Sequence, residues 1–319
     1  MLANFFEEGV RITMPTTHNT NTRSEPCLYH YIIVLITVMI WGITFAATKY
    51  AIAEAEPVLI LLLRFIISIP VLAAGCLAEG TLRLPSRHEA IVLLLLGFQG
   101  IFFQQGIQAI AMETASAGNA NWMLVASPAV VALLGWIFLG EKISKSGIAG
   151  LALAAAGVIL VFVRGTVKAT AEAGSFGAVG DYLMLFSVLN WAAFLIISRH
   201  FLKADMPPAF AIFWEIIFSA IFALTAAHIM GIDFSVICHF SANTWYAIIF
   251  LGIMSSAIAY LLWYKALSAM PAAKLTVFQF LQPVIGMVAS YFLVGERYTM
   301  WIVLGAVMIT AGIWLVNKK

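Results

Sequence analysis

The fold is decided by two stretches: PAVVALLGWIFLGEKISKSGIAGLALAAAG at residues 128–157 and PVIGMVASYFLVGERYTMWIVLGAVMITAG at residues 283–312. Laid over each other at an offset of 155 residues, they match Pro128 to Pro283 and Gly140-Glu141-Lys142 to Gly295-Glu296-Arg297. Gly150 then falls on Gly305 and Ala156-Gly157 on Ala311-Gly312, with Leu160 and Val161 recurring at Leu315 and Val316. Alanine and glycine matches come cheaply in an apolar chain. A proline, a Gly-Glu-basic triplet and a glycine series in one register do not, and internal duplication of this kind marks transporters. Working outward, Ala117 meets Ala272, Ile40-Trp41 meets Asn190-Trp191, Pro57 meets Pro208, and Gln108-Ala109 meets Lys265-Ala266 with small shifts.

Composition names the solvent. Of 319 residues 63% are hydrophobic and 10% charged, and the mean hydropathy is +1.00. Soluble domains carry about 25% charged residues. A net charge of +2 supplies no basic face for nucleic acid. The three cysteines, Cys27, Cys76 and Cys238, are too scattered for a disulfide framework or a metal cluster. Apolar blocks of about 20 residues, enough to cross a bilayer core, lie near 30–50, 57–77, 89–110, 115–139, 146–163, 181–200, 208–230, 244–266, 272–294 and 299–316. The expected fold is an all-α polytopic membrane protein of ten transmembrane helices, built as two inverted five-helix repeats. Residues 1–28 read as a disordered cytosolic tail without the order of a signal peptide, and Met14 offers a second start. The first repeat covers 29–163, a linker 164–180 and the second repeat 181–317.

Orientation follows from basic residues in short loops, which stay cytosolic. With both termini cytosolic, the inner side holds Arg11, Arg23, Arg83, Arg87, Lys142, Lys145, Arg199, Lys203, Lys265, Lys274, Lys318 and Lys319. The outer side holds Arg164, Lys168 and Arg297, plus Lys49 at a helix end. Five spans per half turn the second copy over. Inverted repeats supply two near-equivalent packings, hence alternating access around a site near the midplane.

At these residues the chain resembles the drug/metabolite transporter superfamily, specifically EamA-type ten-helix exporters. The resemblance rests on Trp41-Gly42, Arg64-Phe65, the stretch from Ala109 to Ala117, Pro128, Gly140-Glu141-Lys142 and the echoes ending in Gly295-Glu296-Arg297, and covers about residues 30–317. It implies a central cavity lined by spans 1, 3, 4, 6, 8 and 9, with spans 2, 5, 7 and 10 more peripheral. It implies export of a small molecule and leaves its identity open: amino acids, metabolites and drugs for near members, nucleotide sugars or sugar phosphates for more distant ones. It also implies the bacterial inner (plasma) membrane.

Polar groups inside spans locate a candidate site, because a polar side chain in hydrocarbon needs a partner helix, water or ligand. Gln104, Gln105 and Gln108 share an arc of about 100° on the third span, while Gln99 points elsewhere. They line a wet wall or zip helices together. Asn121 and Pro128 share a face of the fourth span beside Trp122; Thr276, Gln279, Gln282 and Pro283 answer them in the ninth. Pro128 and Pro283 are hinge candidates, since each removes a backbone donor and opens a carbonyl, though prolines are also tolerated as simple bends. Asn190, Trp191 and Tyr260, with Trp41 and Trp122, complete the substrate-binding candidates, an aromatic cavity or ordinary core.

Glu215 is the one carboxylate deep in a span, a candidate for coupling or for structural hydrogen bonding. Arg64 occupies the equivalent place in the first half and is expected to meet Glu54, Glu56 or Glu113 near the outer surface. The first span has no acid, unlike the small multidrug relatives that the superfamily resemblance brings in. An enzyme is disfavoured: Asp181, Asp205 and Asp233 lie near loops, and the histidines stand apart. No catalytic residue, metal or cofactor is expected, and no phosphate loop exists through which ATP would act. The cavity spans lack internal cations, so a zwitterionic or neutral solute fits better than a phosphate. The expected partners are a small-molecule substrate and the bilayer, without nucleic acid. Glycines such as Gly150 and Gly305 serve packing within a chain or between chains, leaving monomer or homodimer undecided.

Overall fold

The structure is a computed structural model that describes residues 28–124, 127, 130, 145–164, 178–201, 206–269, 278–279, 281–295 and 300–317. The N-terminal tail, most of the linker, Pro128, the triplet residues Glu141, Lys142, Glu296 and Arg297, and Thr276 lie outside these, as does the side chain of Trp122. The described residues form α1 (Leu28–Ala51), α2 (Pro57–Ala78), α3 (Arg87–Thr114), α4 (Ala117–Leu124), α5 (Lys145–Arg164), α6 (Val179–Phe201), α7 (Pro208–Ile229), α8 (Ala242–Ala269), α9 (Leu281–Val294) and α10 (Met300–Asn317). Five of them, α1, α2, α3, α7 and α8, are long and apolar enough to cross a membrane. Large apolar side chains such as Ile36, Leu95, Ile221 and Phe292 sit on the outside, which only a non-aqueous surrounding makes cheap.

The repeat is legible in how helices begin and end. Both α2 and α7 start on a proline, Pro57 and Pro208, where the missing N–H is no loss. Both stop at a glycine with φ +65°, Gly80 and Gly231, a conformation that costs other residues a clash at Cβ. The closing hydrogen bonds also match. Gly80 N donates to Leu77 O and Thr81 N to Cys76 O; Gly231 N donates to His228 O and Ile232 N to Ala227 O. That is one Schellman-type closure written twice.

Helices α3 and α8 each contain a feature the periodicity does not predict. A π-turn occupies Gly97–Phe103 in α3 and another Phe250–Ile258 in α8. At the 155-residue offset Gly97 meets Gly252 and Phe103 meets Ile258, so the two widened turns are equivalent. A π-turn inserts a residue into the ladder and re-aims the side chains beyond it.

Packing is exchanged between the halves. Helix α2 packs on the π-turn of α8, and α7 on the π-turn of α3; α2 and α7 also pack on each other. Contact is close enough that a Cβ at Gly97 would lie 2.7 Å from Glu215 O, and one at Gly252 would lie 3.0 Å from Arg64 O. Helix α1 packs against α8 and α9, α6 against α3 and α4, and α5 against α10.

Two sequence expectations change here. Arg64 does not reach the outer acids: it is 3% exposed and donates through Nε to Ser256 Oγ (2.8 Å) and through Nη2 to Ser255 Oγ (3.1 Å). The glycine at 252 lets α2 approach α8 closely enough for hydroxyls to take the guanidinium. Pro283, expected within a helix running from Ala272, lies in the first turn of α9, which starts at Leu281 behind a turn at Gln279. A proline there sacrifices no intrahelical bond.

The connectors are pinned by ordinary capping. Ser86 and Glu89 form a capping box at α3, and Arg83 pairs with Glu89 while stacking over Phe210 of α7 at 4.2 Å. Lys49 donates to Met112 O (2.7 Å) and Ala115 O (2.8 Å) at the carbonyl end of α3. In the loop after α1, Glu54 accepts from Ser241 N (2.8 Å) at the start of α8, and that bond holds its carboxyl below the ordinary range. A depressed folded-state pKa contributes stability above the unfolded value, lost as pH falls through the folded one. Glu54→Ala is therefore expected to reduce thermal stability near pH 7 and to leave it unchanged well below about pH 4, the unfolded carboxylate range. Melting curves of both proteins across pH 3–8 check this; equal destabilisation at all pH values would remove the carboxylate from the account.

Candidate functional site

A cavity lies between α1, α3, α4, α6, α8 and the start of α9. From α1 come Trp41, Thr44 and Phe45, and from α3 come Gln104, Gln105 and Gln108. Leu124 and Ser127 follow from α4 and just beyond it, Trp191 from α6, Ser255 and Tyr260 from α8, and Gln279 and Gln282 from the start of α9. Helices α2, α5, α7 and α10 contribute none of these lining residues.

The π-turn explains the glutamine wall. Beyond Phe103 the chain resumes α-helix, and Gln104, Gln105 and Gln108 all emerge on the cavity side. Gln105 Nε2 donates to Tyr260 Oη (3.1 Å). The bond joins the two halves of the chain, from α3 to α8. Gln104 Oε1 accepts from Asn190 Nδ2 (2.7 Å), and Asn190 is held in turn by Gln99, whose Nε2 donates to Asn190 Oδ1 (2.9 Å).

The aromatic wall centres on Trp41. Its ring meets Tyr260 edge-on at 5.3 Å, Trp191 at 6.1 Å and Trp263 at 5.1 Å with a tilt of 49°. Edge-to-face contacts of this kind lock the rings against rotation and leave a fixed aromatic surface toward the cavity.

Of the sequence candidates, Trp41, Gln104, Gln108, Trp191, Tyr260, Gln279 and Gln282 lie on the cavity wall. Asn121 and Asn190 do not. Asn121 is fully buried between helices, its Nδ2 donating to Gly42 O (3.3 Å) and Ala117 O (3.1 Å). A Cβ at Gly286 of α9 would collide with its amide. Asn190 stands behind the wall and orients Gln104. Glu215 also lies off the cavity: its Oε2 accepts from Tyr264 Oη (2.8 Å), and Oε1 has no partner among the described residues. Sequence reasoning passed over Thr44, Phe45, Leu124, Ser127 and Ser255. Ser255-Ser256 was the available signal, a hydroxyl pair in the middle of an apolar run.

The EamA-like transporter family matches this chain twice, over residues 28–163 and 178–318. The chain belongs to the EamA-like transporter family. An uncharacterized transporter of Archaeoglobus fulgidus is 27% identical over 292 residues, covering 91% of this chain and 97% of that protein. A Salmonella typhimurium relative named a probable amino-acid metabolite efflux pump is 23% identical, covering 89% and 93%. A crystal structure 19% identical in sequence superposes with a TM-score of 0.66 and covers 91% of this EamA-like chain and 96% of its own, a likeness of fold. The family and these relatives are transporters, not enzymes. With helices apolar enough to cross a bilayer, this is an integral membrane transporter.

Proposed function

We propose that this chain is a secondary transporter that moves a small metabolite, best an amino acid or a similar zwitterionic or neutral compound with an apolar or aromatic body, by alternating access. The observation that carries this reading is the cavity wall, where glutamine amides and hydroxyls face rings of Trp41, Trp191 and Tyr260. Amides and hydroxyls suit a polar head; the fixed rings suit an apolar body. The name of the Salmonella relative, a probable amino-acid metabolite efflux pump, agrees with it. In this reading ten spans form two inverted repeats with both termini cytosolic, the membrane is the bacterial inner membrane, and transport runs outward. The substrate and the bilayer are the partners the mechanism needs.

Alternating access follows from exchanged packing. If the halves swap conformations, the contacts of α2 on α8 and of α7 on α3 trade places, while the Gln105–Tyr260 bond ties α3 to α8 across the cavity wall. Glu215, bonded to Tyr264 and away from the cavity wall, holds a helix contact in this scheme rather than coupling transport to protons.

Reconstituted protein, assayed for uptake of a labelled amino-acid panel with and without an imposed pH gradient, is expected to show saturable uptake that needs no gradient and persists in Glu215→Gln. Gradient-dependent uptake that vanishes in this variant would make Glu215 the coupling group instead. No flux of any amino acid would remove that substrate class.

A further inference from the structure

Arg64 is a buried cation one hydrogen bond behind the cavity wall. Among the described residues the ion pairs are Arg83–Glu89 and Lys265–Glu79; Arg64 is in neither. Its Nε donates to Ser256 Oγ and its Nη2 to Ser255 Oγ, both neutral hydroxyls. Ser255, unlike Ser256, lines the cavity. A guanidinium removed from water without a counter-charge is costly, and a hydroxyl dipole offsets only part of that cost.

The proton count gives this contact a direction. An arginine N–H can only donate, so Ser255 Oγ accepts from Arg64 and must send its own proton onward. Its described neighbour is Thr44 Oγ1 at 3.0 Å, another lining residue, while Thr44 has a second contact to Ile40 O at 3.1 Å in which only the threonine can donate. With Thr44's proton committed to Ile40, Ser255 donates to Thr44 or to whatever enters the cavity. The cavity therefore presents a donor polarised by a cation.

We propose that the Thr44–Ser255 edge of the cavity seats a substrate carboxylate, read by the Arg64 guanidinium through the Ser255 hydroxyl. This rests on the transporter reading above and gives its substrate one required group. A carboxylate oxygen accepting from Ser255 lies within about 6 Å of the guanidinium, two hydrogen-bond lengths away, and supplies the missing counter-charge. One cation matches a monoanionic head. Trp41 and Tyr260, which line the same cavity, take the body, and the glutamine wall is left for the amino group.

The test compares labelled L-phenylalanine, L-phenylalaninamide, which lacks the carboxylate, and 3-phenylpropionate, which lacks the amine, in proteoliposomes. Ser255→Ala removes the relay at the wall. Ser256→Ala removes the other Arg64 contact without touching the cavity and controls for damage to folding. In the wild type phenylalanine is expected to be taken up with at least about tenfold lower KM than the amide, the scale of one hydrogen bond to a charged group. Ser255→Ala is expected to erase that preference by weakening phenylalanine alone, and Ser256→Ala to retain it. Equal handling of phenylalanine and its amide by the wild type would overturn the carboxylate seat while leaving amino-acid transport standing. So would a Ser255→Ala loss that is the same for both. Ser255-dependent uptake of 3-phenylpropionate without uptake of phenylalanine would support the seat and overturn the amino-acid reading. Uptake of none of the three would overturn both.

Discussion

Replacing Trp41 with alanine is expected to raise the KM for transported solute by about a hundredfold or more and to destabilise the protein by about 3–5 kcal/mol, the usual cost of deleting a buried tryptophan. The ring touches Trp191, Tyr260 and Trp263 at once, so its removal frees three neighbours as well as emptying its own volume. Two of those neighbours line the cavity. Loss of packing and loss of the binding surface thus coincide in this variant and need a control to separate them. Phe210→Ala supplies it: Phe210 is fully buried against the same core but is absent from the cavity wall. Phe210→Ala is expected to lower the melting temperature by a comparable amount while leaving KM near the wild-type value for the fraction that folds. Trp41→Phe, which keeps a ring in place, is expected to fall between. Thermal unfolding in detergent and concentration-dependent uptake, measured on all three, decide the matter. A Trp41→Ala protein with unchanged KM would mean that the aromatic wall is scaffold and that solute binds elsewhere.

The sequence reveals this architecture unevenly, and the physical reasons differ from place to place. Apolar blocks and the repeat are visible because the bilayer demands long uninterrupted runs and because Pro57 and Pro208 mark equivalent starts. The glycines at 80 and 231 are visible as letters, though not as left-handed closures. The π-turns are not visible, because a widened turn adds one residue to the helical period without changing composition. Gln104 and Gln108 were readable as one face since the helix beyond the π-turn is regular. Asn121 and Asn190 looked alike as polar residues in spans, yet their amides are spent on neighbouring helices. A buried amide must find partners, and one chain of letters does not say whether they belong to helix or solute. Arg64 shows the same limit: its expected place in the outer half of its span points to Glu54, Glu56 or Glu113, whereas packing between halves brings it to Ser255 and Ser256.

Exchanged packing also predicts opposite effects for two chemically identical substitutions. Gly97→Ala would put a methyl group 2.7 Å from Glu215 O on α7, and Gly252→Ala one 2.7 Å from Ile67 Cγ2 and 3.0 Å from Arg64 O on α2. Backbone cannot swing aside as a side-chain tip can, so each substitution must push a helix off a π-turn, at a cost of about 1–3 kcal/mol. The push at Gly97 also strains the bond from Ser219 Oγ to Gly97 O (2.9 Å), and the push at Gly252 strains the Arg64 contacts. These are equivalent junctions of the two repeats. Both junctions are tight in this structure; under the proposed alternating access one opens on passing to one facing and its counterpart on passing to the opposite facing, so overfilling one favours one facing and overfilling its counterpart favours the other. A bias of about 1–3 kcal/mol shifts such an equilibrium about 5- to 150-fold. A cysteine placed at Gln108, with Cys27, Cys76 and Cys238 replaced by serine, reports the facing through its labelling by an impermeant thiol reagent in right-side-out vesicles. One glycine variant is expected to label faster than the parent and the other more slowly, with the double variant returning toward the parent rate. If both variants moved the rate in the same direction, the two π-turn junctions would be structural seams of a single state, and the pivot would have to lie outside α2, α3, α7 and α8.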